Sequence, residues 1–254
     1  MTPEQRRVAE QAVAEASEGR EVLVISLCGA HAYGFASVDS DLDLKGVWQA
    51  PTRSLLGLRG APGAIDRQEW IEGVEVDLTL NELAQVVAGL LKGNGNMLER
   101  VLDPAPLLAG QGLPELRALV GKNLSRRSHA HYRGFAHSQK LAVDPAAPKA
   151  KKLLYVLRTC LTGAHLLETG EVVPDLVALA PRYGFPEVPE LVEIKRSAEL
   201  GVLPDAWRER VPGLIERAFA RLDQALESSR LPAEPEASAE LEAWLIERRI
   251  AGLR

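Results

Sequence analysis

The sequence predicts an α+β protein in two parts: a small mixed β-sheet with flanking helices over residues 1–110, followed by an all-helical domain over 111–254. Three observations lead to this. Stretches with strand character lie before Leu83, every periodic stretch after about 112 has helical spacing, and a Pro- and Gly-containing break at Leu107–Leu113 separates the two regions. No apolar run reaches the roughly 18–20 residues of a membrane span. Met1-Thr2-Pro3-Glu4-Gln5 lacks the charged start and apolar stretch of a signal peptide, and Cys28 and Cys160 lie in apolar contexts that suit reduced core thiols. The expectation is a cytoplasmic protein with no membrane partner.

Residues 3–17 read as a helix, with Pro3 in the first turn, Val8, Ala12 and Ala16 on one face, and Gly19 as the stop. Val22–Leu27 is a buried strand and Asp41–Trp48 a second. Residues 57–66 read as loop. Gly73 precedes a third strand, Val74–Leu80, in which Val74, Val76, Leu78 and Leu80 face one way and Glu75, Asp77 and Thr79 the other. Asn81–Lys92 is an amphipathic helix capped near Thr79 or Asn81. Gly93-Asn94-Gly95-Asn96 breaks it, with the asparagines in turn positions or, as the alternative, lining the site, and Met97–Leu102 is a short helix. The later helices are predicted over 114–124, 126–142, 147–168, 187–199, 204–229 and 236–251. Gly170–Leu176 reads as a turn or short strand, and Pro181–Pro189 as a connector.

The chemistry concentrates in Gly29–Val47. Asp41 and Asp43 are two residues apart on a strand and so project from one face, while Leu42 and Leu44 turn into a core. Two neighbouring carboxylates repel, and a hard cation such as magnesium between them relieves the repulsion. Gly29 and Gly34 bound a turn whose backbone N–H groups can approach a phosphate closely. A phosphate-holding turn beside paired carboxylates is the equipment of phosphoryl or nucleotidyl transfer.

The stretch Gly29–Val47, with Ala32-Tyr33-Gly34 after the turn and Ser40-Asp41-Leu42-Asp43-Leu44-Lys45-Gly46-Val47 beyond, resembles the signature of the polymerase-beta-type nucleotidyltransferase superfamily. It resembles most narrowly the RNA-ligase-associated subgroup, whose members are proposed to act in RNA repair. Asn81-Glu82-Leu83, Leu91–Glu99, Leu157-Arg158 and Leu166–Glu171 are weaker echoes of the same subgroup. The resemblance implies a nucleotidyltransferase catalytic domain over 1–110. In it Asp41, Asp43 and Asp77 bind two magnesium ions, with manganese as a substitute, and Asp77 helps activate the acceptor hydroxyl; Glu75 is the reserve. Gly29 and Ala30 with their neighbours would hold the triphosphate. The superfamily's turn serine is Ala30 here, so one hydrogen bond to phosphate is lost.

The formal charge is −5, yet residues 121–160 hold nine basic residues against the single acid Asp144, which leaves −13 for the rest of the chain. This asymmetry suggests a polyanion partner, or basic helix faces that pair with acidic neighbours. His129, Arg133 and His137 share a helical face with no carboxylate near them in sequence. Lys152, Tyr155 and Arg158, beside Lys151, are the candidates for holding the nucleotide; the alternative is a solvated basic face. The expected activity is transfer of a nucleoside monophosphate from an NTP to an acceptor hydroxyl, an RNA 3′ end by resemblance. An AMP-transferring antitoxin-like enzyme and a non-catalytic nucleotide- or RNA-binding relative are the alternatives.

Overall fold

The computed structural model describes residues 1–58, 60, 62–197 and 201–253. The predicted helix end at 198–199 and positions 59 and 61 of the predicted loop lie outside the described residues. Along the chain run α1 (Pro3–Ser17), β1 (Glu21–Leu27), α2 (Gly29–Ala32), β2 (Leu42–Gln49), α3 (Thr52–Leu55), β3 (Ile65–Ile71), β4 (Val74–Glu82), α4 (Leu83–Leu91), α5 (Gly95–Leu102) and β5 (Leu108–Ala109). Then come α6 (Leu113–Lys122), α7 (Ser128–Leu141), α8 (Ala150–Thr169), α9 (Leu176–Tyr183), α10 (Val188–Ser197), α11 (Arg210–Ser228) and α12 (Ser238–Ala251). These form two compact units: residues 1–29, 38–124 and 234–254, and residues 30–37 and 125–233. The sequence reading divides the chain once, near 110; the units each draw on separated stretches, and α12 groups with the sheet.

The first unit is built on a five-stranded mixed sheet in the order β3-β4-β2-β1-β5. β2 and β4 run parallel and the other neighbours antiparallel. α1 starts at a capping box in which Thr2 and Gln5 exchange hydrogen bonds. Its Val8, Ala9, Ala12 and Ala16 join Ile25, Leu42, Leu44, Val76, Leu78 and Leu80 in one core, so the expected inward faces of β2 and β4 are the ones buried. β4 extends to Glu82, whose carboxylate, rather than Thr79 or Asn81, caps α4 by accepting from the Ala84 N–H. Asn94 is not merely a turn residue: its side chain caps α5, accepting from the Asn96 and Met97 N–H groups.

β3 is an addition to the expected elements. Its inward positions read Ile65, Arg67, Glu69, Ile71, so charges interrupt the apolar alternation that marks a strand. Arg67 reaches Glu15 of α1 and Glu69 of its own strand, which allows these charges at a sheet edge. The β3–β4 connection is Glu72-Gly73, both with positive φ, the geometry of a tight hairpin turn.

In the second unit the buried helix α8 is packed by α7, α9, α10 and α11. Residues 176–183 form α9 rather than a turn and a Pro-rich connector. Asp175 caps the helix through the Ala178 N–H, and Pro181 falls in its last turn, where α9 is already ending at Gly184.

Candidate active site

β2 and β4 lie side by side in parallel, with Asp43 directly opposite Asp77 and Leu44 opposite Leu78. Because alternate residues share a face, Asp43 and Asp77 project together from the face opposite the buried leucines. Asp41 occupies the position just before β2 begins and is partly buried. The sheet thus brings together two of the three expected carboxylates through strands distant in sequence.

Lys45 stands between them. Its Nζ lies 2.9 Å from Asp77 Oδ1 and 3.8 Å from Asp43 Oδ1, and it donates to Thr79 Oγ1 at 3.3 Å. At 18% side-chain exposure it is shielded from water, so its charge offsets most of the repulsion between the two acids. Lys45 and Thr79 each sit two residues beyond a carboxylate. The alternation that places Thr79 on the face of Asp77 also places Lys45 on the face of Asp43, a neighbour the sequence reading does not single out.

Gly29 closes one side of the site. Its φ is +63°, and a Cβ there would overlap the Asp43 carboxylate, so only glycine fits on both counts. The Cys28 N–H donates to the Asp43 carbonyl at 2.7 Å, tying the start of the turn to β2. Burial pushes the Cys28 thiol up to about 12 and raises the Cys160 thiol likewise; both cysteines are free, as expected.

Among the described residues, no group of three or more His, Cys, Asp or Glu side chains converges closely enough to hold a metal ion. Asp43 and Asp77 do present accessible oxygen donors on one face, the donor chemistry that suits magnesium or manganese, with an ammonium group lodged between them. The pair fits a hard cation; the complete carboxylate triad is not assembled.

In the second unit, Tyr155 and Arg158 gather around the segment that follows Gly29. Tyr155 meets the rings of Tyr33 and Phe35 edge-on at 5.8 and 5.5 Å, and the Arg158 guanidinium stacks over Tyr33 at 3.7 Å. Arg158 is only 1% exposed, whereas Lys151 and Lys152 are on the surface. The nucleotide-holding candidates Lys152, Tyr155 and Arg158 therefore divide between an exposed lysine and an aromatic–guanidinium cluster with a buried arginine. Ala30 is buried, and its carbonyl accepts from the Phe35 N–H.

The face bearing His129 and Arg133 gains a carboxylate that sequence neighbours do not supply. Asp223 of α11 is 2.8 Å from His129 Nε2 and accepts from Arg133 Nε at 3.0 Å. Burial alone would raise the Asp223 carboxyl, but hydrogen bonds from Arg133 and His129 outweigh it and hold the carboxyl below its ordinary value. Part of the positive charge of residues 121–160 is thus neutralised within the helical unit.

The model of the RNA repair pathway DNA polymerase beta family matches residues 4–247. The chain belongs to that family. The chain is 25% identical to an uncharacterized protein of Methanocaldococcus jannaschii over 224 residues, covering 81% of this chain and 90% of the relative. Among solved structures, a nucleotidyltransferase-like protein from Exiguobacterium sibiricum matches with a TM-score of 0.35 and 10% identity, over 96% of this chain and 80% of that one.

Proposed function

We propose that this member of the family is a magnesium-dependent nucleotidyltransferase that moves a nucleoside monophosphate from an NTP to an acceptor hydroxyl, with an RNA 3′ end as the acceptor. The observation that carries the reading is the in-register pair of Asp43 and Asp77 on parallel strands beside the positive-φ turn at Gly29. Asp43 and Asp77 would hold the metal, with Asp41 joining from the end of β2. When bound, the metal supplies charge stabilisation to the phosphates and lowers the pKa of the attacking hydroxyl.

The chain's own residues do the rest. Backbone N–H groups of the turn after Gly29 hold the β- and γ-phosphates; Ala30 supplies no hydroxyl for this. Arg158 and Tyr155 grip Tyr33 and Phe35, and so fix the backbone that continues from Gly29. The acceptor oxygen bonds to the α-phosphorus and its proton passes to the Asp77 carboxylate. The bond from that phosphorus to the bridging oxygen breaks on the opposite side, and pyrophosphate leaves with the electron pair.

The test is incubation with each labelled NTP and magnesium, with a short RNA, a short DNA or no acceptor. Label on RNA supports the reading, and Asp43→Asn should abolish it while leaving the circular dichroism spectrum unchanged. Label on protein alone moves the reading to a protein-modifying enzyme. No label on anything, with NTP still bound, moves it to a non-catalytic relative.

A further inference from the structure

The face of the sheet that bears the carboxylates continues outward onto β3. Register places Gln68 opposite Asp77 and Trp70 opposite Glu75, and cross-strand partners in a sheet share a face. Crossing the sheet from β1 outward, the order on this face is the Gly29 turn, Asp43, Asp77, then Gln68 and Trp70. Trp70 lies two residues along β3 from Gln68, about 7 Å by strand geometry. It is 71% exposed.

An indole this open on an edge strand offers a flat face on which a ring can stack. It borders a cavity of about 620 Å³ at the end of the sheet, whose other walls include Thr2 and Arg7 at the start of α1, Val38 and Asp39 of the segment leading into Asp41, and Glu75. Val38 is the other strongly exposed apolar side chain in that lining. Around these two the rim is polar: Gln68 donates to Glu75 at 2.9 Å, and Arg7 pairs with Glu72 at 3.6 Å. Two isolated apolar surfaces inside a polar, partly acidic rim suit a flat ring with polar edges. Two separate apolar side chains are too small a core for a stable interface with a folded protein.

We propose that Trp70 is the stacking platform for one of the two 3′-terminal bases of the acceptor strand. This rests on the nucleotidyltransferase reading above. In-line displacement puts the leaving and attacking oxygens on opposite sides of the phosphorus. With Gly29, where the phosphate-holding turn begins, on the β1 side of Asp43, the acceptor enters from the β3 side of Asp77, where Trp70 stands. The acidic rim repels phosphate, so the base rather than the backbone leads at this position, and stacking is tolerant of base identity.

The experiment is a fluorescence-anisotropy titration of a labelled single-stranded decaribonucleotide against the full chain, in magnesium and at several salt concentrations. Wild type, Trp70→Ala and Trp70→Phe are compared, and MgATP binding is measured in parallel by calorimetry. Trp70→Ala should weaken oligonucleotide binding about fivefold to a hundredfold, the span of one base stack. The factor should be the same at every salt concentration, MgATP affinity should stay within twofold, and Trp70→Phe should recover most of the loss. An oligonucleotide abasic at its last two positions should bind wild type as weakly as the intact one binds Trp70→Ala, with no further loss in the variant. The proposal is overturned if Trp70→Ala binds the intact oligonucleotide within twofold of wild type, if MgATP affinity falls in step, or if the abasic ends make no difference. It is also overturned if wild type binds MgATP but no oligonucleotide, an outcome that leaves nucleotidyl transfer to another acceptor standing. Trp70-dependent oligonucleotide binding without MgATP binding would uphold the platform and sink the transfer reading instead.

Discussion

Lys45 and Gly29 set the character of the carboxylate pair from opposite sides. The Lys45 ammonium is a counter-ion shared by the adjacent Asp43 and Asp77. Replacing it with an isosteric apolar chain, Lys45→Met, leaves two like charges side by side on a partly shielded face. A loss of about 1–2 kcal/mol is expected, between the values for exposed and buried pairs. The same change should make stability respond more steeply to magnesium, since a divalent ion then takes over the role of the lysine. Thermal melts with and without magnesium check this; a wild-type-like melt in the absence of metal would show that the pair does not need Lys45. Gly29→Ala is the sharper lesion. It forces an L-residue to +63° and drives a methyl group into the Asp43 carboxylate. The left-handed conformation alone costs about 1–2 kcal/mol, and Asp43 must move, so transfer should fall far more than stability does. Comparing denaturation midpoint with labelled-nucleotide transfer separates the two effects.

Among the elements, α12 shows how a distant segment supports the sheet. Arg249 pairs with Glu82 and donates to the Ala50 carbonyl at 3.0 Å, while Arg248 reaches Glu21 and Gln49. Glu82 is fully buried at the end of β4, the strand that carries Asp77, and it also accepts from the Ala50 and Ala84 N–H groups. Arg249→Ala would strand that carboxylate without its cation. Breaking a buried pair costs about 3–5 kcal/mol, and the surviving backbone hydrogen bonds place this case at the low end. A urea denaturation midpoint unmoved by the substitution would mean that Glu82 is held by the backbone alone. Legibility also divides by element. α1, β2 and β4 were readable because their apolar period is uninterrupted and both Asp43 and Asp77 fall on the polar phase. β3 was hidden by Arg67 and Glu69 at inward positions that ion pairs make tolerable, and α9 by Pro181 in its last turn. The adjacency of Asp43 and Asp77 was legible only as a need for a third acid. The parallel register that meets it is a contact between strands more than thirty positions apart, which no local pattern encodes.

Across the whole molecule, charge is distributed unevenly, and the structure refines what the unevenness can do. Residues 121–160 carry +8, but Arg133 is occupied by Asp223, whose hydrogen bond also raises the Arg133 guanidinium above its ordinary value. Arg126 and Arg127, at the entry to α7, are exposed. RNA held by this stretch would release counter-ions, with affinity falling as the logarithm of salt at a slope of about −0.7 for each single-strand phosphate neutralised. Reversing Arg126 and Arg127 to Glu should therefore flatten that slope by about 1.4 or more and weaken RNA binding most at low salt. Arg133→Glu alone should act differently: it opposes Asp223 to a like charge, so it should lower stability while moving the slope less. RNA titrations over a salt series on the wild type, the double variant and Arg133→Glu decide between a polyanion surface and helix faces paired with their own acids. If the double variant keeps the wild-type slope, the arginines serve the fold or the solvent, and an RNA acceptor must be recognised by other groups.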